Sequence, residues 1–190
     1  MSKIQIKPKT YLYPMPVVIV GSKIGEKVNF MTIAWCGIVE NNPPMISISA
    51  AKNHYTNEGI KKNKTFSINI PSEKMIEVTD YIGIKSGKNI DKSNIFEVFY
   101  GDLKSAPMIK DAPLNLECEL TKTIDLGTNH DLFIGEIKSS YIMEDYLTEG
   151  IPDIKKINPI CYSTGTQNYL NIGNIIGKAW KIGKDYKISE

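Results

Sequence analysis

Lys52, His54 and Thr56 stand where the segment AKNHYTNEGIKKN passes from a loop into a helical pattern. A helix start gathers unpaired backbone N–H groups and the positive end of the helix dipole. A lysine beside it therefore makes a seat for a phosphate group. Every one of the 23 basic residues is a lysine. Any phosphate must then be held by ammonium groups, hydroxyls and main-chain amides, because no guanidinium fork exists in the chain.

Other reactive side chains are sparse. His54 and His130 are the only histidines, so a multi-histidine metal site is excluded by count. Cys36, Cys118 and Cys161 fit neither a zinc spacing nor a redox pair and read as free thiols, the first two in a core and the third nearer the surface. No P-loop, Gly-x-Gly-x-x-Gly or Gly-x-Ser-x-Gly motif occurs. Chemistry in such a chain is expected from a bound cofactor, not from a side-chain constellation.

The elements that must position these residues are mostly strands. Val17–Gly21, Val28–Glu40 and Met45–Ala50 are apolar, β-branched runs parted by turn residues, which predicts antiparallel pairing. A short helix is expected from about His54 to Asn63 with Thr56 as its N-cap, followed by a half-buried strand at Thr65–Pro71, where Phe66, Ile68 and Ile70 alternate with Ser67 and Asn69. Ser72 caps a second helix that Gly83 stops, and a polar loop follows. Leu114–Leu120, Leu132–Met143 and Pro159–Ser163 supply further strands, before a tail from Gly165 to Gly183 rich in glycine, asparagine and aromatic residues. The sum is a mostly β fold with flanking helices, most economically a closed or nearly closed antiparallel barrel.

Composition bounds the partners. At 190 residues, 42% hydrophobic and a formal charge of +2, the sequence predicts one domain spanning 1–190 with a sizeable core and no nucleic-acid or membrane surface. The longest early apolar run, Met15–Val20, holds Pro16 and is too short to span a bilayer, and the thiols suit a reducing cytoplasm. A cytoplasmic protein is expected.

Five segments in order, PMPVVIVGS at 14–22, NFMTIAWCG at 29–37, PPMISIS at 43–49, HYTNEGIKKNKTFSINIP at 54–71 and HDLFIGEI at 130–137, resemble the flavin reductase-like proteins with an FMN-binding split barrel. The ending PICYSTG and YLNIGNIIGKAW is similar to the flavoredoxin branch. The resemblance implies a six-stranded antiparallel Greek-key barrel, a homodimer with FMN near the subunit interface, and transfer of hydride or electrons between NADH, NADPH or a redox protein partner, the flavin and an acceptor. Carried onto this chain, Asn29 to Trp35 would line the flavin ring, with main-chain groups of Met31, Thr32, Ile33 and Ala34 on its polar edge. Ser49 and Ala50 would follow the ribityl chain, and Lys52, His54, Tyr55 and Thr56 would approach the phosphate. His130 would be the catalytic residue beside the open face, meeting nicotinamide or acceptor or donating a proton, and Tyr162 and Tyr169 would gate or stack on that face.

Two other readings stand beside this one. A flavin-binding module without turnover would hold a flavin that resists nicotinamide and protein donors. A barrel for single-stranded nucleic acid is opposed by the balanced charge and by the lack of a clustered lysine and aromatic face.

Overall fold

The computed structural model describes residues 1–184 and 186–188. Seven strands build the main sheet: β1 (Val18–Ile24), β2 (Lys27–Ile33), β3 (Cys36–Asn41), β4 (Pro44–Ala51), β5 (Thr65–Ile70), β6 (Leu114–Asp125) and β7 (His130–Ile142). Their order is β2-β1-β5-β6-β7-β4-β3, and every neighbouring pair is antiparallel. The expected continuous strand Val28–Glu40 is in fact two strands at opposite edges of the sheet, parted by Ala34 and Trp35.

That break bends the whole sheet. Three peptide links carry the chain from Ile33 to Cys36, a reach of about 11 Å, so the sheet must curl until its two edges approach. No ladder joins them among the described residues. Of the expected closed or nearly closed barrel, with six strands by resemblance, the structure shows seven strands in a curled sheet that is not closed, because Ala34 and Trp35 hold the edges near one another without pairing them.

Inside the curl, Val20, Met31, Ile48, Ile60, Phe66, Ile68 and Phe133 form the main core. Burying each of these side chains contributes about 1.5–3 kcal/mol. The alternate residues of β1 and β2, Ile19 and Phe30, face outward into a second cluster with Ile82, Ile109 and Ala112. Ile82 lies on the helix α2 (Ile76–Ile84). Both faces of β1 and β2 are thus covered.

The helix α1 (Thr56–Asn63) packs on β1 through Gly59, where an added Cβ would lie 2.4 Å from the Lys23 carbonyl and 2.7 Å from Ser22 Oγ. Lys64, in a left-handed conformation, ends it. Three expectations change here. Thr56 is the first helical residue, not the cap; Tyr55 occupies the cap position without a side-chain bond, and the Thr56 hydroxyl accepts from Asn29 Nδ2 at 2.7 Å. Ser72 starts a short 3-10 turn, Glu73–Met75, ahead of α2 and makes no side-chain cap bond. Gly83 does not stop α2, which runs one residue further to Ile84 and exits through extended Lys85, so no left-handed residue is required.

The half-buried reading of β5 also changes. Ser67 and Asn69 are as inaccessible as Phe66 and Ile68. Segment 105–109 lies over them: Ser67 Oγ donates to the Pro107 carbonyl, and Asn69 Oδ1 accepts from the Ile109 amide at 2.8 Å. Polar side chains here are buried because each has found a main-chain partner.

The ending forms a small second sheet in which Cys161–Ser163 pairs with both Met15–Pro16 and Asn168–Leu170. All three cysteines are free, Cys118 and Cys161 buried and Cys36 half-buried against the core, so Cys161 lies deeper than expected. Beyond it the described tail carries Ile175, Ile176, Trp180 and Ile182 in exposed positions.

Candidate functional site

The site grows out of the Ala34–Trp35 break. Ser49 N donates to the Trp35 carbonyl at 2.8 Å, tying the break to β4. The β7–β4 register sets His130 opposite Ala51, and the Trp35 and His130 rings lie 4.9 Å apart with planes 32° from parallel. A hollow of about 170 Å³ forms there, lined by Thr32, Ile33, Ala34, Trp35, Ser49, Ala51, His54 and His130. It joins residues from four separate parts of the chain.

Thr32, His54 and their neighbours also face a second hollow of about 230 Å³, toward the start of α1. Its near wall carries Asn29, Met31, Tyr55 and Thr56, and its far wall is the end of α2 and the loop Lys85–Gly87, with Lys92 beneath. The lining contains two lysines and no aspartate or glutamate. A cationic wall beside a helix start suits an anionic group.

Lys92 makes that charge unusual. It is 3% exposed, and its Nζ donates to the Phe30 and Ile82 carbonyls at 2.8 Å each. No carboxylate pairs with it among the described residues. Burial pushes its ammonium down to about 8. An ammonium has three donors, so one remains for a ligand.

The edge strand β2 supplies the other half of the recognition surface. Its outward carbonyls at Val28 and Phe30 accept from Ser93 Oγ and Lys92 Nζ. Strand alternation then places the Thr32 main-chain N–H and C=O on the same edge, where the sheet offers no ladder partner. These groups open toward the two hollows. The Thr32 hydroxyl is already spent on the Thr79 carbonyl of α2.

Eleven of the thirteen residues expected from the sequence line one or both hollows: Asn29, Met31, Thr32, Ile33, Ala34, Trp35, Ser49, His54, Tyr55, Thr56 and His130. Two do not. Ala50 belongs to the core, because alternation along β4 turns it away from the side that Ser49 and Ala51 face. Lys52 points its Nζ at Asp125, 2.6 Å away on the surface, and lines neither hollow. The main chain of Lys52 matters more here, since its amide bonds the Asn129 carbonyl and fixes the turn.

His54 sits between the hollows. Burial, then the nearby His130 and Lys92, lower its pKa and favour the neutral imidazole. Its Nδ1 is buried without a hydrogen-bond partner. Tyr162 and Tyr169 stand elsewhere: their rings lie 5.8 Å apart on the terminal hairpin, and the Tyr169 hydroxyl donates to Asp80 at 2.8 Å.

Sequence reading missed the far wall, Lys85, Ser86, Gly87 and Lys92. The signal present was Ser-Gly flanked by lysines within KSGKNIDK, a small and flexible cationic turn. Gly87 is needed because a Cβ there would meet Asn29 Oδ1 at 2.0 Å and Tyr55 Cδ1 at 2.8 Å. The loop thus rests directly on the residues that line the near wall.

Known proteins share this fold. Flavoredoxin from Methanosarcina acetivorans is 45% identical and superposes with a TM-score of 0.93, covering 97% of this chain and 98% of its own. Flavoredoxin of Desulfovibrio vulgaris (Miyazaki F) is 34% identical with a TM-score of 0.90, covering 96% and 100%. An FMN-binding protein from Thermus thermophilus with bound 1-cyclohex-2-enone is 25% identical with a TM-score of 0.77, covering 90% and 96%. The family model described as "Flavin reductase like domain" matches residues 10–170. With the family model spanning most of the chain and both flavoredoxins superposing over nearly all of it, the chain belongs to the flavin reductase-like family, on its flavoredoxin branch.

Proposed function

We propose that the protein binds FMN and passes electrons through it, with the flavoredoxin-like carrier role favoured over that of a free flavin reductase. The observation that carries this reading is the polarity of the paired hollows. Unladdered main-chain groups at Thr32 meet one end, and a wall with two lysines and no carboxylate meets the other. A flat heterocycle with a phosphate tail needs those two ends in that order.

The residues present fit FMN. The spare donor of Lys92, with Lys85, Ser86 and the start of α1, would hold the phosphate. Thr32 and Ala34 would meet the ring's polar edge, and Trp35 and His130 would stand beside the ring. When bound, the flavin supplies hydride and single-electron chemistry. The protein's part is to orient and shield: neutral His54 adds no charge where the hollows meet, and His130 is placed to hold or pass a proton beside the ring. The likeness to two flavoredoxins supports the carrier role; a protein donor and NADH or NADPH are the competing proposals for what reduces the flavin.

A homodimer is part of the same reading. Ile38 and Val39 on the edge strand β3, and Ile175, Ile176 and Trp180 in the tail, are apolar and exposed in the single chain, as an interface would require. No helix among the described residues is long and apolar enough to cross a membrane. A cytoplasmic location remains our proposal.

Absorbance spectroscopy of the purified protein, before and after anaerobic NADH or NADPH, tests the function. Visible flavin bands that persist with nicotinamide but bleach with a reducing protein donor support the carrier. Prompt bleaching by nicotinamide alone makes it a reductase, and no bands after incubation with FMN sinks the flavin reading.

A further inference from the structure

Apart from the two hollows already described, a third of about 670 Å³ lies between the start of α2 and the terminal hairpin. Ile76, Ile160, Tyr169 and Leu170 give it an apolar lining, and Glu73 and Lys74 are its charged residues. Glu77 and Asp80 follow along α2, three residues apart and so on one face. The hydrogen bond from the Tyr169 hydroxyl to Asp80 turns that face toward the hairpin. Among the described residues, no lysine pairs with Glu73, Glu77 or Asp80. The surface is therefore apolar in its hollow and anionic along its helix.

The tail is its complement in both respects. No acid occurs from residue 154 to residue 184, while Lys178 and Lys181 flank Trp180. The amides of Lys181 and Ile182 both donate to the Lys178 carbonyl, at 3.2 and 3.0 Å, so these residues form one compact turn. Although the tail departs from the edge of the hollow at Leu170 and Asn171, it does not fold back into it. Lys155 Nζ donates to the Ile172 and Gly173 carbonyls, and beyond them Ile176 and Trp180 are each 94% exposed. From Gly173 to Lys178 the chain can span up to about 17 Å, enough to leave one molecule and lie on another.

We propose that this hollow is the docking site for the tail of a second copy of the chain, exchanged reciprocally. Ile176 and Trp180 would enter the apolar lining, with Lys178 and Lys181 set against Glu73 and Glu77. A two-fold pair satisfies both molecules at once, since each supplies one tail and one hollow. The proposal rests on the homodimer reading and names a surface for it besides the β3 edge. It also joins that surface to the anion end of the site: Ile82 and Ile84, at the far end of α2, line the hollow that holds Lys92. A tail seated at the start of α2 would brace that wall.

The test reverses charge on each surface in the full-length chain. Glu73→Lys with Glu77→Lys reverses the hollow, Lys178→Glu with Lys181→Glu reverses the tail, and light scattering across a dilution series gives the dimer dissociation constant. Each variant alone should dissociate with a constant at least about tenfold above wild type, because like charges then face one another at both contacts. Mixed one to one, the two variants should regain a dimer of near wild-type affinity, since each tail in the mixed pair again meets a hollow of opposite charge. Wild-type affinity in either variant alone overturns the proposal. So does the lack of recovery on mixing, which is what a tail folded onto its own chain would give. A wild-type chain that is monomeric removes the homodimer reading itself, and this proposal with it, whereas a dimer untouched by the reversals removes the tail contact alone.

Discussion

At the scale of single residues, Lys92 decides the chemistry of the anion end. A charge-assisted hydrogen bond to a phosphate is worth about 1.5–3 kcal/mol, so Lys92→Met should weaken FMN binding by more than about tenfold while leaving riboflavin within about twofold. Fluorescence titration with both flavins checks this. The sign of the pH effect follows from burial, which brings the ammonium from 10.5 down to about 8. Its charge is present below that value and lost above it, so FMN affinity should hold on the acid side and fall as pH rises through about 8. Flavin-free protein should gain stability across the same rise, because between about 8 and 10.5 the unfolded chain binds the extra proton. Riboflavin binding should show no such step. His130→Ala should retain flavin but slow its reduction or reoxidation, and stopped-flow rates equal to wild type would reduce His130 to a wall residue. Of these two residues only His130 was singled out in the sequence, by the resemblance of HDLFIGEI to the family's histidine ahead of a Phe-x-Gly-Glu strand. Lys92 was one lysine in a polar loop, and nothing local distinguishes a lysine that folds inward.

At the scale of elements, the helix α1 is held by side chains that reach main-chain groups: Asn57 Nδ2 to the Ala51 carbonyl at 2.8 Å, and Asn63 Nδ2 to that of Lys23 at 2.7 Å. Beneath it, half-exposed Lys61 pairs with buried Asp131 at 2.6 Å, one residue from His130. Gly59 permits the close approach to β1, and a methyl there would press on backbone that cannot yield cheaply. Gly59→Ala should therefore cost about 1–3 kcal/mol and lower Tm by on the order of 5 °C, which calorimetry would register; an unchanged Tm would mean that α1 is free to shift. The helix was legible because its period and its apolar-to-polar switch are local. The break at Ala34–Trp35 was not, since both flanks are apolar and β-prone, and only the path of the chain across the sheet separates them. Ser67 and Asn69 misled for a similar reason: alternation shows that two faces differ, but not whether the polar face meets water or, as here, another segment's main chain.

At the scale of the whole molecule, the exposed apolar positions on β3 and in the tail lead to an expected solution mass twice the 21.3 kDa of one chain. Light scattering after size exclusion measures it directly. Ile38→Lys together with Val39→Lys should shift the population to monomer, and a dimer that survives those charges would move the interface off β3. The family resemblance in the sequence covered nearly the entire molecule because it rested on strands in a fixed order, each contributing a recognisable pattern. It could not supply the seventh strand or the unjoined edges, which depend on pairings between distant segments.

The outward edge of β2 bears a consequence beyond ligand binding. A strand with free N–H and C=O groups is a template on which another chain's strand can grow. Upstream, Ser93 and Lys92 occupy the Val28 and Phe30 carbonyls and so blunt that template, leaving Thr32 as the stretch still open. The same gap that admits a cofactor is thus the weak point of the sheet against self-association. A molecule seated at Thr32 would act as its missing neighbour, and protein kept without it is the form in which edge-to-edge aggregation should begin.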